Sequence, residues 1–128
     1  MAKRAIVLFA HGARDPQWAN PFRQLVAELG ERLPGERIVL AFLELMQPSL
    51  PDCASALYAD GVRSVRVVPV FLGSGGHMKE DLPRMVASLK IRYQDLEITL
   101  EAPIGEQPEV IAAIARAIAR SDRSGSPA

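Results

Sequence analysis

The sequence predicts an α/β fold: a three-layer α/β/α sandwich around a four-stranded parallel sheet with strand order 2-1-3-4. Three observations carry this. Short β-branched apolar runs recur four times along the 128 residues. Stretches with helical apolar spacing separate them, and the runs themselves are too uniformly apolar for a strand with one wet face. Strands alternating with helices of this length imply right-handed crossovers and helices on both faces of a parallel sheet.

Ala5 to Ala10 forms the first strand, and its unbroken apolar character demands an interior place, which order 2-1-3-4 supplies. The first helix follows, with Phe22, Leu25, Val26, Leu29 and Leu33 at i, i+3, i+4, i+7 and i+11. Arg37 to Leu43 is the second strand. A helix starting behind Pro48 turns Leu50, Cys53, Ala54 and Leu57 inward and ends near Gly61, a residue suited to a left-handed cap. Ser64 to Phe71 is the third strand; Pro69 removes a ladder donor from it and marks a bulge or the point where the strand leaves the sheet. Leu82, Met85, Val86 and Leu89 define the third helix, Leu96 to Leu100 the fourth strand, and Pro108 to about Arg120 the last helix, with Val110, Ile111, Ile114 and Ile118 on one face. Residues 1–120 therefore read as one domain. Residues 121–128, Ser-Asp-Arg-Ser-Gly-Ser-Pro-Ala, lack any large apolar side chain and are expected to be a disordered tail.

Composition narrows the function. A 48% hydrophobic chain of this length has material for one core. Fifteen Lys and Arg balance fifteen Asp and Glu, so no bulk charge attracts nucleic acid or an anionic membrane. The apolar run at the start breaks at His11, short of the roughly 7 to 15 residues of a signal-peptide core, and no run approaches the ~18 residues of a membrane span. A single cysteine, Cys53, closes no intrachain disulfide and fits a reducing, cytoplasmic compartment.

In an open parallel sheet, ligands bind beyond the carboxyl ends of the strands, where strand order reverses. His11-Gly-Ala-Arg14-Asp15 follows the first strand, Glu44 the second, Gly73-Ser-Gly-Gly-His77 the third, and Glu101 to Glu106 the fourth. Both histidines of the chain fall on that edge. Order 2-1-3 sets the His11 loop between those of Glu44 and His77, so two imidazoles and a carboxylate can converge on one divalent ion such as iron, cobalt, nickel or zinc, with positions left open for a substrate atom. Hydrogen-bonding histidines without metal are the alternative. The loop of Gly73, Ser74, Gly75 and Gly76 matches neither nucleotide motif, G-x-x-x-x-G-K-[ST] or G-x-G-x-x-G after the first strand; it admits close approach of a large flat ligand or is simply a flexible connection. Carboxylates on such a ligand have its amides, Lys79 and Arg14 within reach, although Arg14 equally suits a surface pair with Asp15. Trp18 and Phe22 read as helix packing, with a place flanking the cleft as the alternative for Trp18, and Glu80 and Asp81 as partners of the helix dipole.

His11-Gly-Ala-Arg14, Ala41-Phe-Leu-Glu44 with Pro48-Ser-Leu50, Val68-Pro-Val-Phe-Leu-Gly73, Gly76-His77 and Asp81-Leu-Pro83 together resemble the short sirohydrochlorin chelatases over roughly residues 5 to 110. These class II tetrapyrrole chelatases insert cobalt, or iron in some members, into sirohydrochlorin for cobalamin or sirohaem, on a chelatase-like fold of flavodoxin-like topology. The resemblance implies metal binding by His11 and His77 with Glu44 beside them, a divalent metal as substrate with no permanent cofactor, and a homodimer equivalent to the longer two-lobed enzymes. The chemistry of insertion in turn suggests Glu44 or a histidine as acceptor of the pyrrole protons, and Arg14, Ser74, Gly75, Gly76 and Lys79 as the groups that meet substrate carboxylates. Departures are Ala13 where the family commonly has serine, no histidine after the fourth strand, and no histidine-rich storage segment. A histidine phosphatase would need arginine where Ala10 stands, and an FMN module a hydroxyl-rich loop after the first strand. A non-catalytic metal or tetrapyrrole carrier using the same three residues is the remaining alternative.

Overall fold

A computed structural model describes residues 3–73 and 75–125, with the side chains of His77 and of residues 121–125 outside that description. Four parallel strands, β1 (Lys3–Ala10), β2 (Arg37–Phe42), β3 (Val62–Pro69) and β4 (Glu97–Leu100), lie in the order β2-β1-β3-β4. Helices α1 (Asn20–Arg32), α2 (Leu50–Ala59), α3 (Gly76–Arg92) and α4 (Pro108–Gly125) alternate with them, and short 3-10 turns occupy Pro16–Ala19 and Ile104–Glu106. Order, parallelism and alternation are those the apolar pattern predicts.

Alternation along β1 divides the core. Ala5, Val7 and Phe9 face α2 and α3, where they pack with Leu50, Cys53, Ala54 and Leu57 of the first and Met78, Leu82, Val86 and Leu89 of the second. Ile6 and Leu8 face the other way, toward Val26, Leu29 and Leu33. Val7 and Phe9 are wholly buried, each such side chain contributing roughly 1.5–3 kcal/mol. Helix α2 begins where Ser49 Oγ accepts the Asp52 N–H at 3.2 Å and ends before Gly61, whose φ of 91° meets the expected left-handed cap. Pro69 closes β3 in register with Phe9, and the next residue, Val70, donates to the Phe9 carbonyl at 2.8 Å. Successive N–H groups point to opposite sides of a strand, so proline's missing donor lies on the β4 side, where pairing has ended at Val67–Leu100. The strand leaves the sheet there without losing a ladder bond.

Differences from the sequence reading cluster at the ends of elements. Helix α4 continues to Gly125 rather than stopping near Arg120, because Ser121 to Ser124 contain no residue that breaks an established hydrogen-bond ladder; residues 121–125 thus depart from the expected tail, and 126–128 lie outside the described residues. Glu80 and Asp81 fall beyond the first turn of α3, which starts at Gly76, and pair with Arg84 instead of serving the dipole. The larger surprise is α4, which rests on the Ile104–Glu106 turn while Ile111, Ile114 and Ile118 stay 50%, 37% and 64% exposed. On that face of the sheet a groove of about 250 Å³, lined by Leu8, Leu29, Leu33, Val68, Val70 and Ile104 among others, lies open. No helix among the described residues is long and apolar enough to cross a membrane.

The strand-end loops are locked to one another. Leu43 N–H donates to the Ala10 carbonyl at 2.9 Å and Glu44 N–H to that of His11 at 3.1 Å, extending the β1–β2 ladder past both strands. Gly12 takes φ 94°, and a Cβ there would run into the Glu44 carbonyl oxygen.

Two tests follow from this packing. Burial, aided by neighbouring Asp52, pushes the Cys53 thiol up to about 11, so it should not react with a disulfide reagent near about pH 8 in the native protein and should titrate as one thiol after denaturation; native reactivity would contradict the packing. Gly12→Ala should lower unfolding stability by ~1–3 kcal/mol, measured as a drop in urea midpoint, whereas a wild-type midpoint would show that the loops do not meet as described.

Candidate metal-transfer site at the carboxyl edge of the sheet

His11 is the first residue beyond β1 and is exposed, at the centre of the sheet's carboxyl edge. Its imidazole packs on the Phe71 ring with centroids 4.5 Å apart and planes inclined at 34°. Phe71 is itself buried and meets Phe9 edge-to-face at 6.1 Å, so the histidine rests on a ring anchored in the core. Stacking uses the imidazole face and leaves the two nitrogens at its rim for a metal or a proton. Sequence reasoning missed this contact, since a separation of 60 positions along the chain gives it no local signal.

Glu44 is exposed just beyond β2, with its backbone held to His11 by the hydrogen bond described above. On the opposite side of β1, the glycine loop leads into α3, where His77 is the second residue; its side chain and all of Ser74 lie outside the described residues. The topology thus brings the His11, Glu44 and His77 positions to one edge. Among the described residues, no three His, Cys, Asp or Glu side chains gather closely enough to hold an ion, so His11 and Glu44 have no third described donor beside them.

The polar rim is equally open. Gly75 caps α3 with extended backbone and no side-chain bond, leaving the first N–H groups of a 17-residue helix without a side-chain cap, and Gly75, Gly76 and Lys79 are exposed there. Arg14 is exposed in the loop that follows β1. Asp15, its sequence neighbour, does not pair with it; the carboxylate instead accepts the Gln17 N–H at 2.9 Å and starts the 3-10 turn. Arg14 therefore has no ion pair among the described residues and keeps its charge toward solvent. Trp18 and Phe22 stack at 4.7 Å over Ala10, Ala19 and Phe42, which makes them the packing residues their spacing suggests.

Comparison with known proteins places this architecture. The CbiX family model matches residues 5–121. The sirohydrochlorin cobaltochelatase of Saccharolobus solfataricus is 30% identical over 106 residues, which span 78% of this chain and 81% of that protein. Among solved structures, a CbiX protein from Marinobacter aquaeolei VT8 superposes with TM-score 0.83 at 32% identity, covering 96% of this chain and 99% of its own. The sirohydrochlorin chelatase SirB from Bacillus subtilis subspecies spizizenii, in complex with cobalt, gives TM-score 0.79 at 26% identity; 92% of this chain is covered but only 50% of that one. With a family match running from β1 through most of α4, and with relatives of like length and fold, this chain belongs to the CbiX family.

Proposed function

We propose that this protein is a sirohydrochlorin chelatase, a lyase-class enzyme that inserts a divalent ion, cobalt first and iron second, into a tetrapyrrole. The observation that carries this reading is the exposed His11 imidazole, held edge-out on Phe71 and flanked by the Glu44 and His77 positions, in a chain whose family relatives include sirohydrochlorin cobaltochelatases. A solved SirB with Fe3+ supports iron as the second metal.

The chemistry divides among few groups. Insertion exchanges the water ligands of the ion for four ring nitrogens and releases two protons from pyrrole N–H groups. His11 and His77 hold the incoming ion through neutral imidazole nitrogen, a softer grip than thiolate, which favours handing it over. Glu44 accepts the pyrrole protons and passes them to solvent; an exposed carboxylate is well placed to do so. Arg14, Lys79, Ser74 and the amides of Gly75 and Gly76 meet the carboxylates at the macrocycle edge. The ion is substrate, and no permanent cofactor is required.

The reaction is carried by one α/β domain working as a homodimer in the cytoplasm. Support for the dimer comes from α4, whose isoleucines Ile111, Ile114 and Ile118 stay exposed among the described residues while the groove between α1 and β3 lies open. In a symmetric pair, α4 of each copy fills the groove of the other, and each surface is self-complementary in the manner a two-fold interface demands. The segment matched here spans only half of the SirB chain.

Two measurements test this. Purified protein mixed with sirohydrochlorin and Co2+ should change the visible spectrum faster than buffer alone and metallate many macrocycles per chain; a change that stops at one per chain would identify a carrier, and no acceleration would refute both. His11→Ala and Glu44→Gln should each lower kcat/KM by ~10²-fold or more. Light scattering should give twice the 13.9 kDa chain mass, and Ile114→Asp should shift it toward the monomer; a monomeric wild type would refute the dimer.

A further inference from the structure

Two apolar side chains at the site edge have no structural task. Leu45 is 58% exposed and Leu72 66%; the other large apolar side chains left exposed, Leu25, Ile91, Ile111, Ile114 and Ile118, all lie on helices. Each leucine directly follows a residue tied to His11. Leu45 follows Glu44, whose N–H donates to the His11 carbonyl, and Leu72 follows Phe71, whose ring carries the imidazole. Strand order β2-β1-β3 sets the two on opposite sides of His11.

Neither leucine hangs on slack chain. Leu45 adopts φ 67°, the one non-glycine residue of positive φ among the described residues, in a left-handed conformation that glycine or asparagine would take more readily. Leu72 has its backbone clamped under Gly105: a Cβ at Gly105 would overlap the Leu72 Cα and carbonyl oxygen, and Gly105 N–H donates to the Phe71 carbonyl at 2.9 Å. A rigid backbone that presents leucine to water on both sides of a polar centre suits a ligand with a broad apolar body and a polar rim.

We propose that Leu45 and Leu72 are the apolar grips for the macrocycle, packing on its ring from either side of His11, so that the rim carboxylates fall to the polar residues. This rests on the chelatase reading and adds two residues that set tetrapyrrole affinity without touching the metal.

Leu45→Ser, Leu72→Ser and the double variant, checked for unchanged circular dichroism and mass, should raise KM for sirohydrochlorin by about tenfold each while leaving kcat within about twofold and Co2+ affinity, measured by calorimetry, unchanged. Leu→Met at either position should restore KM. An unaltered KM in the double variant overturns the proposal, as does a KM change that tracks a loss of dimer mass, which would place the leucines between copies. Titration of the macrocycle without metal separates this from the chelatase reading. If wild type binds but does not turn over, that reading alone fails, and a tenfold weaker Kd in the double variant still supports the grips while an equal Kd overturns them. A wild type that does not bind overturns both.

Discussion

A glycine backbone turned to φ 94° beneath a neighbouring carbonyl is what lets the β1 and β2 loops touch. No side chain fits between Gly12 and Glu44, and the Glu44 N–H reaches the His11 carbonyl only because none is there. The contact carries the sheet's hydrogen bonding one residue past the last strand pair, to the place where chemistry is proposed. On the other side of β1, Phe71 performs the equivalent task with a side chain, bridging the buried Phe9 and the exposed His11. Backbone on one flank and aromatic ring on the other hold a single exposed imidazole at the middle of the edge.

That arrangement suits a reaction in which the metal must be passed on. Deeply buried ligands would bind an ion tightly and release it slowly, and charged ligands without neighbours would bind it loosely and without direction. Here the scaffold beneath His11 is anchored in the core while the His11 and Glu44 side chains face solvent, so their desolvation is modest. The balanced charge of the chain has a counterpart at the site: Arg14 and Lys79 are exposed there, and on the proposed reading they meet an acidic substrate, with Arg14 spared from Asp15 because that carboxylate caps a turn.

Much of the fold was legible because it depends on local pattern. The unbroken burial of Ala5 to Ala10 in β1, the inward set Leu50, Cys53, Ala54 and Leu57, and the cap at Gly61 are all consequences of neighbours within a turn or a strand. Strand order followed from one constraint, that Ile6 to Phe9 have no wet face. What escaped the sequence reading is non-local. The Phe71–His11 stack joins residues far apart in the chain, and the left-handed backbone at Leu45 has no compositional mark. The isoleucines of α4 mark one apolar face, yet periodicity is silent on their staying exposed once the chain has folded. The proposed ligands were reached differently, through the rule that places sites beyond strand ends and through family likeness, with the scarcity of histidine doing the selection.

The central claim is that His11, Glu44 and His77 share one ion at the carboxyl edge of the sheet. A crystal structure of the protein grown with Co2+, with anomalous scattering used to locate the metal, tests it most directly. The account predicts one strong peak per chain, bonded to a nitrogen of each histidine at about 2.1 Å and to a Glu44 oxygen, with solvent on the remaining positions. Cobalt bound elsewhere on the chain, or bound at this edge without either histidine, would contradict it.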